Sequence, residues 1–484
     1  PHIRIGWSAA FASPSLVSDL PETGASAGRR LEMESGGVCH VIATPYPGRG
    51  HINSMMNLCN LLVSRDRRVR VTFVATEEWQ GLIGPHAIAD HDRISIATIP
   101  NVIPSETGRA ADFPGFIEAV MSRMEAPYDH LLDHLQPPPT IILADTYLVW
   151  AVEVGRRRHI PVASLWVMSA TALSVMHHWD LLRRNQHFPV SSSVGEARAD
   201  YIPGISSIRV LDLVKAHGGA AGDRVLAAAL HAVSSLPQTH YLLFTSVQEL
   251  EPHPLNFFKS RFTIPVYSVG PAIPCFNRRS ADETDPVFRW LDGQPAGSVL
   301  YVSMGSFLSV PEAQMEEIAA GLQESGVRHL WVTRWETSRF GGSGGGRRLA
   351  VAWCDQLGVL RHRAVGGFWT HCGWNSAVEG AYAGVPMLTW PIFWDQPPNS
   401  KIIVEDWGMG ARLGRAAAGG SEVVRREQIA RSVKEFMDAE SEAGKEMRKR
   451  GREIGEICRR AMEVGGSSHV NIDAFVREIT EGRH

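Results

Sequence analysis

None of the six cysteines stands in a CxxC pair. Cys39, Cys59, Cys275, Cys354, Cys372 and Cys458 are scattered along 484 residues, which argues against a zinc site or a disulfide scaffold and for a reducing compartment. No Asn-x-Ser/Thr acceptor occurs, and no apolar run approaches the roughly 20 residues that span a bilayer. Excess charge is lacking as well. The 48 basic and 51 acidic residues leave a net −3, so no strong field favours nucleic acid or an anionic membrane. These absences predict a cytoplasmic protein with no stable membrane insertion and a small-molecule substrate.

The chain is too long for one core and is expected to form two α/β domains. Residues 1–37 are rich in Ser, Ala, Gly and Arg without periodicity, and Met33 reads as the true start, so this stretch is expected to be a disordered extension. Val38 to Thr44 is an apolar strand ending in the turn Pro45 to His51, and Ile52 to Ser64 continues with helical spacing. Further strands are expected at Val69 to Ala75, Ile94 to Ile99, Thr140 to Ala144, Val162 to Trp166, Tyr241 to Thr245 and Pro265 to Val269, with a helix over Phe113 to Leu135. That makes 38–270 one doubly wound domain. The proline- and charge-rich stretch 271–297 reads as an exposed linker, and a second strand–helix series starts at Ser298 and runs to about residue 465.

Trp353 to Gln396 concentrates the chemistry. The apolar strand Val365 to Trp369 stops at Thr370-His371-Cys372-Gly373, and Trp374 to Ala383 has helical spacing, with Asn375 or Ser376 as the natural cap. A helix start gathers unpaired N–H groups and a positive dipole end, which suit a phosphate, and His371, Asn375 and Ser376 add side-chain donors there. A second strand, Pro386 to Trp390, leads to Asp395 and Gln396, whose carboxylate and amide fit paired sugar hydroxyls. Trp353 offers a flat face to a base, and Gln356 follows within reach of whatever stacks on it. Together these groups describe a nucleotide-sugar site. Trp369 and Trp390 read as plain core.

The block resembles the signature of plant secondary-product UDP-glycosyltransferases, an inverting family with the GT-B fold, in which two Rossmann-like domains face each other across a cleft. Related patterns extend from about His40 to the C-terminus. The resemblance implies that Trp353 stacks on uracil, that Gln356 and Glu379 hold the ribose, and that His371, Asn375 and Ser376 hold the diphosphate. It also implies UDP contacts from Cys354 and Ser306, and sugar contacts from Trp374, Asp395 and Gln396. Residues 466–484, with the periodic run Val470 to Ile479, resemble the terminal helix that crosses back to the first domain. A glutamine at the last position of the block usually accompanies glucose in this family, so UDP-glucose is the expected donor. No cofactor or metal is implied, and the chain is expected to act as a monomer.

Glycosyl transfer to an alcohol needs a base, stabilisation of the leaving diphosphate, and alignment of the two reactants. His51 follows the first strand, at the place where an α/β sheet presents its ligand site, and Asp145 ends the strand Thr140 to Ala144, where it can orient an imidazole. The contexts GRGH and LADTY also resemble the family's catalytic His–Asp pair. The acceptor, a small lipophilic phenolic, terpenoid or hormone-like molecule, is expected against Trp150, Trp166, Met168, His177, Trp179 and the loop around Phe113 and Phe116.

Rival readings are weaker. Gly48-x-Gly50 opens a helix as in a dinucleotide fold, but Asn53 stands where the third glycine belongs. Gly341 to Gly345 formally spells GxSxG yet lies in a glycine-rich loop rather than at a strand-to-helix elbow. His130 and His134, four residues apart, have no third ligand in view. A nucleotide-sugar binder that has lost transfer would not need His51, Asp145, Asp395 and Gln396. The short loop Gly341 to Arg348 departs from the longer acidic connection of relatives, which bears on acceptor access rather than on donor binding.

Overall fold

The computed structural model describes residues 37–83, 92–109, 112–188, 197–214, 219–273, 285–305, 310–333, 346–413 and 423–482. The extension 1–36, Cys275, Ser306 and the loop 341–345 lie outside the described residues.

The first half contributes strands β1 (Cys39–Thr44), β2 (Val69–Thr76), β3 (Ile94–Ile99), β4 (Ile141–Asp145), β5 (Val162–Trp166), the short pair β6 (Arg198–Ala199) and β7 (Ile208–Arg209), β8 (Tyr241–Phe244) and β9 (Val266–Ser268). Seven of them form one sheet in the order β3-β2-β1-β4-β5-β8-β9, while β6 and β7 pair separately. The second half contributes β10 (Val299–Ser303), β11 (Arg328–Val332), β12 (Arg348–Val351), β13 (Val365–Thr370), β14 (Met387–Thr389) and β15 (Gly410–Arg412), in the order β12-β11-β10-β13-β14-β15. Both large sheets are parallel and covered by helices, so their inner strands are apolar throughout: β1, β4, β5 and β10 are buried at every position. These are two Rossmann-like units of a GT-B fold.

The two sheets reverse direction at equivalent places. The chain leaves β1 towards β2 and β3 and returns to lay β4 on the other side of β1, with Thr44 paired to Ala144. It leaves β10 towards β11 and β12 and returns with β13, with Ser303 paired to Thr370. A crevice opens at the carboxyl ends of such a strand pair, because the loops that follow diverge to opposite faces. His51 and Asp145 follow the first switch; Gly305 and His371 follow the second.

Two expectations need revision. Phe113 to Leu135 is two helices, Phe113–Arg123 and Glu125–Leu132, meeting at Met124. Pro127 accounts for the break, since it has no N–H to give the Arg123 carbonyl and its ring would crowd that oxygen. Within 271–297 the helix Pro286–Asp292, capped by the Asp285 side chain, buries Val287 and Leu291 in the second core. Those residues sit four apart in a polar stretch whose composition hid them. The helix Ser467–Glu481 lays Ile472, Phe475, Val476 and Ile479 into the core of the first half, beside Val41 and Phe73. No helix among the described residues is long and apolar enough to cross a membrane.

Candidate active site

A cleft of about 1360 Å³ is lined by residues that follow both switch points. Every described residue expected from sequence for base catalysis, UDP or the sugar lines it except Asp145, which stands directly behind His51.

On one wall the helix Arg49–Arg65 begins after Gly48 in extended conformation, which turns His51 towards the cleft. His51 Nδ1 lies 2.6 Å from Asp145 Oδ2, and the two side chains are 22% and 1% exposed. A carboxylate oxygen can only accept, so a neutral imidazole in this place carries its proton on Nδ1 and leaves Nε2 with a lone pair on the cleft side. Asp145 Oδ1 accepts from the Tyr147 backbone N–H at 3.0 Å. Both carboxylate oxygens are therefore held, and the ring of Tyr46 packs 5.0 Å from the imidazole.

On the facing wall β13 ends in Thr370, and Cys372 adopts a left-handed φ of 67° before the helix Trp374–Ala383. Its N-cap is Gly373, with no side-chain cap, in place of the expected Asn375 or Ser376. The polar side chains at this helix start are used elsewhere. Asn375 Nδ2 donates to the Gly50 carbonyl at 2.8 Å and its Oδ1 accepts from Ser54 at 2.9 Å, across the cleft. Ser376 accepts from Gln356 at 3.1 Å. First-turn N–H groups with no cap form the anion-attracting feature here. His371 stands beside them, held neutral by burial, which lowers its pKa to about 4. A β-carbon on Gly305 or Gly373 would come within 2.6 or 2.5 Å of His371 Nε2, so only glycine leaves room for the ring.

Trp353 presents a face that is 65% exposed. Behind it Tyr301 OH donates to Gln356 Oε1 at 3.1 Å, and Gln356 Nε2 donates to Glu379 Oε2 at 2.8 Å. Burial pushes the Glu379 carboxyl up to about 7. Cys354 faces the core beside Tyr301, where burial pushes its thiol up to about 12. Trp374 is likewise a core residue, 3% exposed with its ring 6.0 Å from Trp407, so what it can offer a ligand is its backbone N–H. Asp395 is held by Asn399 at 2.7 Å, and burial raises its pKa to about 6. Gln396 Oε1 accepts from the backbone N–H groups of Ile392 and Phe393 at 2.8 and 3.0 Å, which leaves its amide nitrogen for a ligand. Trp369 and Trp390 stack in the core at 5.3 Å, as expected of them.

Only part of the expected acceptor wall reaches the cleft. Phe113 and Met168 line the cleft, whereas Trp150, Trp166, Phe116 and Trp179 are buried in the core and His177 packs against Phe258 and Phe262. Large aromatic residues on elements packed from both sides fill cores before they line pockets. In their place Ile117, Tyr147, Val225 and Ala229 face the cleft from the first half, and Phe393 and Trp394 from the second. Among the described residues no group of three potential metal ligands comes together.

The family model described as "UDP-glucoronosyl and UDP-glucosyl transferase" matches residues 279–440. UDP-glycosyltransferase 87A2 of Arabidopsis thaliana is 54% identical over 446 residues, covering 91% of this chain and 97% of that protein. The chain belongs to the plant UDP-glycosyltransferase family. UDP-glycosyltransferase 87A1 of the same plant is 51% identical over 442 residues, covering 90% of this chain and 99% of that one. Among solved structures, UGT71G1 of Medicago truncatula complexed with UDP-glucose superposes with a TM-score of 0.77 at 27% identity, covering 92% of this chain and 98% of that one. UGT2 of Phytolacca americana, complexed with UDP-2fluoro-glucose and pterostilbene, gives 0.75 at 26% identity, covering 92% and 100%. The two Rossmann-like halves and the cleft between them are thus those of a UDP-glycosyltransferase.

Proposed function

We propose that this UDP-glycosyltransferase moves glucose from UDP-glucose to a hydroxyl or carboxyl group of a small lipophilic acceptor, with inversion, using His51 and Asp145 as its base pair. The observation that carries the reading is the 2.6 Å contact of His51 Nδ1 with Asp145, in a cleft whose opposite wall holds Asp395 and Gln396. His51 Nε2 takes the acceptor proton as the acceptor oxygen attacks the anomeric carbon. The bond from that carbon to the β-phosphate oxygen breaks, and UDP leaves with the electron pair. Asp145 stabilises the imidazolium that forms. The uncapped helix start at Trp374, with neutral His371 beside it, stabilises charge on the leaving diphosphate, so the proposal includes no metal or other cofactor. Ser306 is assigned to the same phosphate group.

On the donor side Trp353 stacks on uracil and Gln356 with Glu379 takes the ribose, while Asp395 and the Gln396 amide take the sugar hydroxyls. The apolar wall from Phe113 to Phe393 supports a lipophilic acceptor. UDP release from UDP-glucose, followed with a panel of phenolic, terpenoid and hormone-like acceptors in the presence of EDTA, tests the reading. It expects acceptor-dependent release and a hexose mass gain on the product; UDP-galactose or another sugar outrunning UDP-glucose would overturn the donor assignment.

A further inference from the structure

We propose that the hydrogen bond from the Trp394 indole N–H to the Tyr147 hydroxyl, 3.1 Å across the cleft, is a positioning contact that keeps the His51–Asp145 pair aligned with the sugar-binding residues. The inference rests on the roles proposed above for those residues and adds Tyr147 and Trp394 to them as a coupled pair.

Each partner is fastened to a functional neighbour. Tyr147 lies two residues beyond Asp145, its backbone N–H is bound to Asp145 Oδ1, and its ring lies 6.1 Å from the His51 ring. Trp394 immediately precedes Asp395, and its ring stacks on Phe393 at 5.6 Å. The turn that carries it is tied down by Gln396 Oε1, which accepts from the two preceding N–H groups. A shift of either half along the cleft therefore moves one functional pair relative to the other, and the indole–hydroxyl bond opposes it.

Trp394 also has a left-handed φ of 58°. A residue with a β-carbon held there costs about 1 kcal/mol or more and persists only where the surroundings fix it. Its ring packs against the first half's core cluster, which contains Trp166 and Met168. The strained turn is thus held from the opposite half, by packing and by the Tyr147 hydroxyl. Burial raises the Tyr147 phenol well above its ordinary range, so the hydroxyl keeps its proton at working pH.

A second link allows the contact to be cut without separating the halves. Asn399, fully buried, donates to Asp395 and to the Cys372 carbonyl and accepts from Ser169 at 2.7 Å. With Asn399 in place, Tyr147→Phe removes one hydroxyl and keeps the ring, so alignment is perturbed while docking remains.

The experiment measures transfer to the best acceptor of a phenol panel, hydrolysis of UDP-glucose without acceptor, UDP affinity and thermal stability. The proteins are the wild type, Tyr147→Phe, Trp394→Phe, the double variant and His51→Ala. Loss of one neutral hydrogen bond from the aligned state corresponds to about a fivefold fall in kcat. We expect that fall in Tyr147→Phe, with UDP affinity and donor KM near wild type and a larger fraction of donor lost to water. The double variant should be no slower than the slower single, because one contact is removed twice. Effects that multiply, or wild-type kcat and hydrolysis in both single variants, would overturn the proposal, as would a loss of thermal stability with kcat per folded molecule unchanged. His51→Ala separates the two levels. Loss of turnover there with unaffected Tyr147→Phe and Trp394→Phe defeats the tether alone, whereas full turnover in His51→Ala defeats the base pair and the tether with it.

Discussion

Replacing Asp145 by asparagine changes charge and tautomer while nearly preserving shape. In the wild type Oδ1 takes the Tyr147 N–H at 3.0 Å and Oδ2 takes His51 Nδ1 at 2.6 Å. An amide has one accepting and one donating end. The Tyr147 N–H can only donate, so it claims the amide oxygen and turns the NH2 towards His51. Nδ1 must then accept, the ring proton moves to Nε2, and the nitrogen facing the cleft can no longer take a proton from the acceptor. With the Asp145 side chain 1% exposed, water cannot relieve the mismatch. The same tautomer error in the serine-protease triad costs about 10⁴ in kcat, so Asp145→Asn should lose about 10³–10⁴, equivalent to about 4–5 kcal/mol of transition-state stabilisation. Initial rates of UDP release at saturating UDP-glucose read the loss, and calorimetric titration with UDP should give near wild-type affinity. Turnover within tenfold of wild type at unchanged UDP affinity would refute the assignment of Asp145 as the orienting carboxylate.

Other variants test the remaining parts. His51→Ala should abolish transfer to ordinary alcohols and leave UDP binding nearly intact, as read by the same two assays. Gln396→Ala should weaken use of UDP-glucose far more than binding of UDP, because it removes the free amide and also the acceptor that holds the Ile392–Phe393 turn; equal losses would remove Gln396 from the sugar site. Gly305→Ala should destabilise by about 1–3 kcal/mol and weaken UDP binding, since Gly305 has φ 80° and a β-carbon there would sit 2.6 Å from His371; denaturant titration and UDP calorimetry check both. Glu379 has a folded pKa of about 7, above its ordinary 4.5, so the folded state holds more protons than the unfolded one between these values. Its contribution is fully present below about pH 4.5 and is lost as pH rises through 7, at most on the order of 3 kcal/mol. Melting temperatures should therefore fall less between pH 5 and 8 in Glu379→Gln than in the wild type.

The elements that could be read without coordinates are those whose pattern is set by burial on both faces. β1, β4, β5 and β10 are short apolar runs, each followed by a turn or helix signal, and this repeat gives both the parallel sheets and the switch points. β12 is half-buried along its length and has no such pattern, so it did not stand out. The helix Pro286–Asp292 was hidden by its charged surroundings, and the break at Met124 needed attention to Pro127. In the site, the residues that line the cleft were legible because they stand at strand ends, where a parallel sheet presents its crevice. Partners across the cleft were not. Nothing local to Asn375 shows that it spends its amide on Gly50 and Ser54, and nothing local to Tyr147 shows that it meets Trp394. The acceptor wall was the least legible part, because a tryptophan that lines a pocket and one that fills a core look alike until the helices are packed.

The most direct test of the account is product analysis after incubating the protein with UDP-glucose and the acceptor panel. The account predicts UDP release that depends on the acceptor, a product heavier by one hexose joined through a β-linkage, and loss of both in His51→Ala. Binding of UDP-glucose with no acceptor-dependent release from any member of the panel, or an α-linked product, would contradict it.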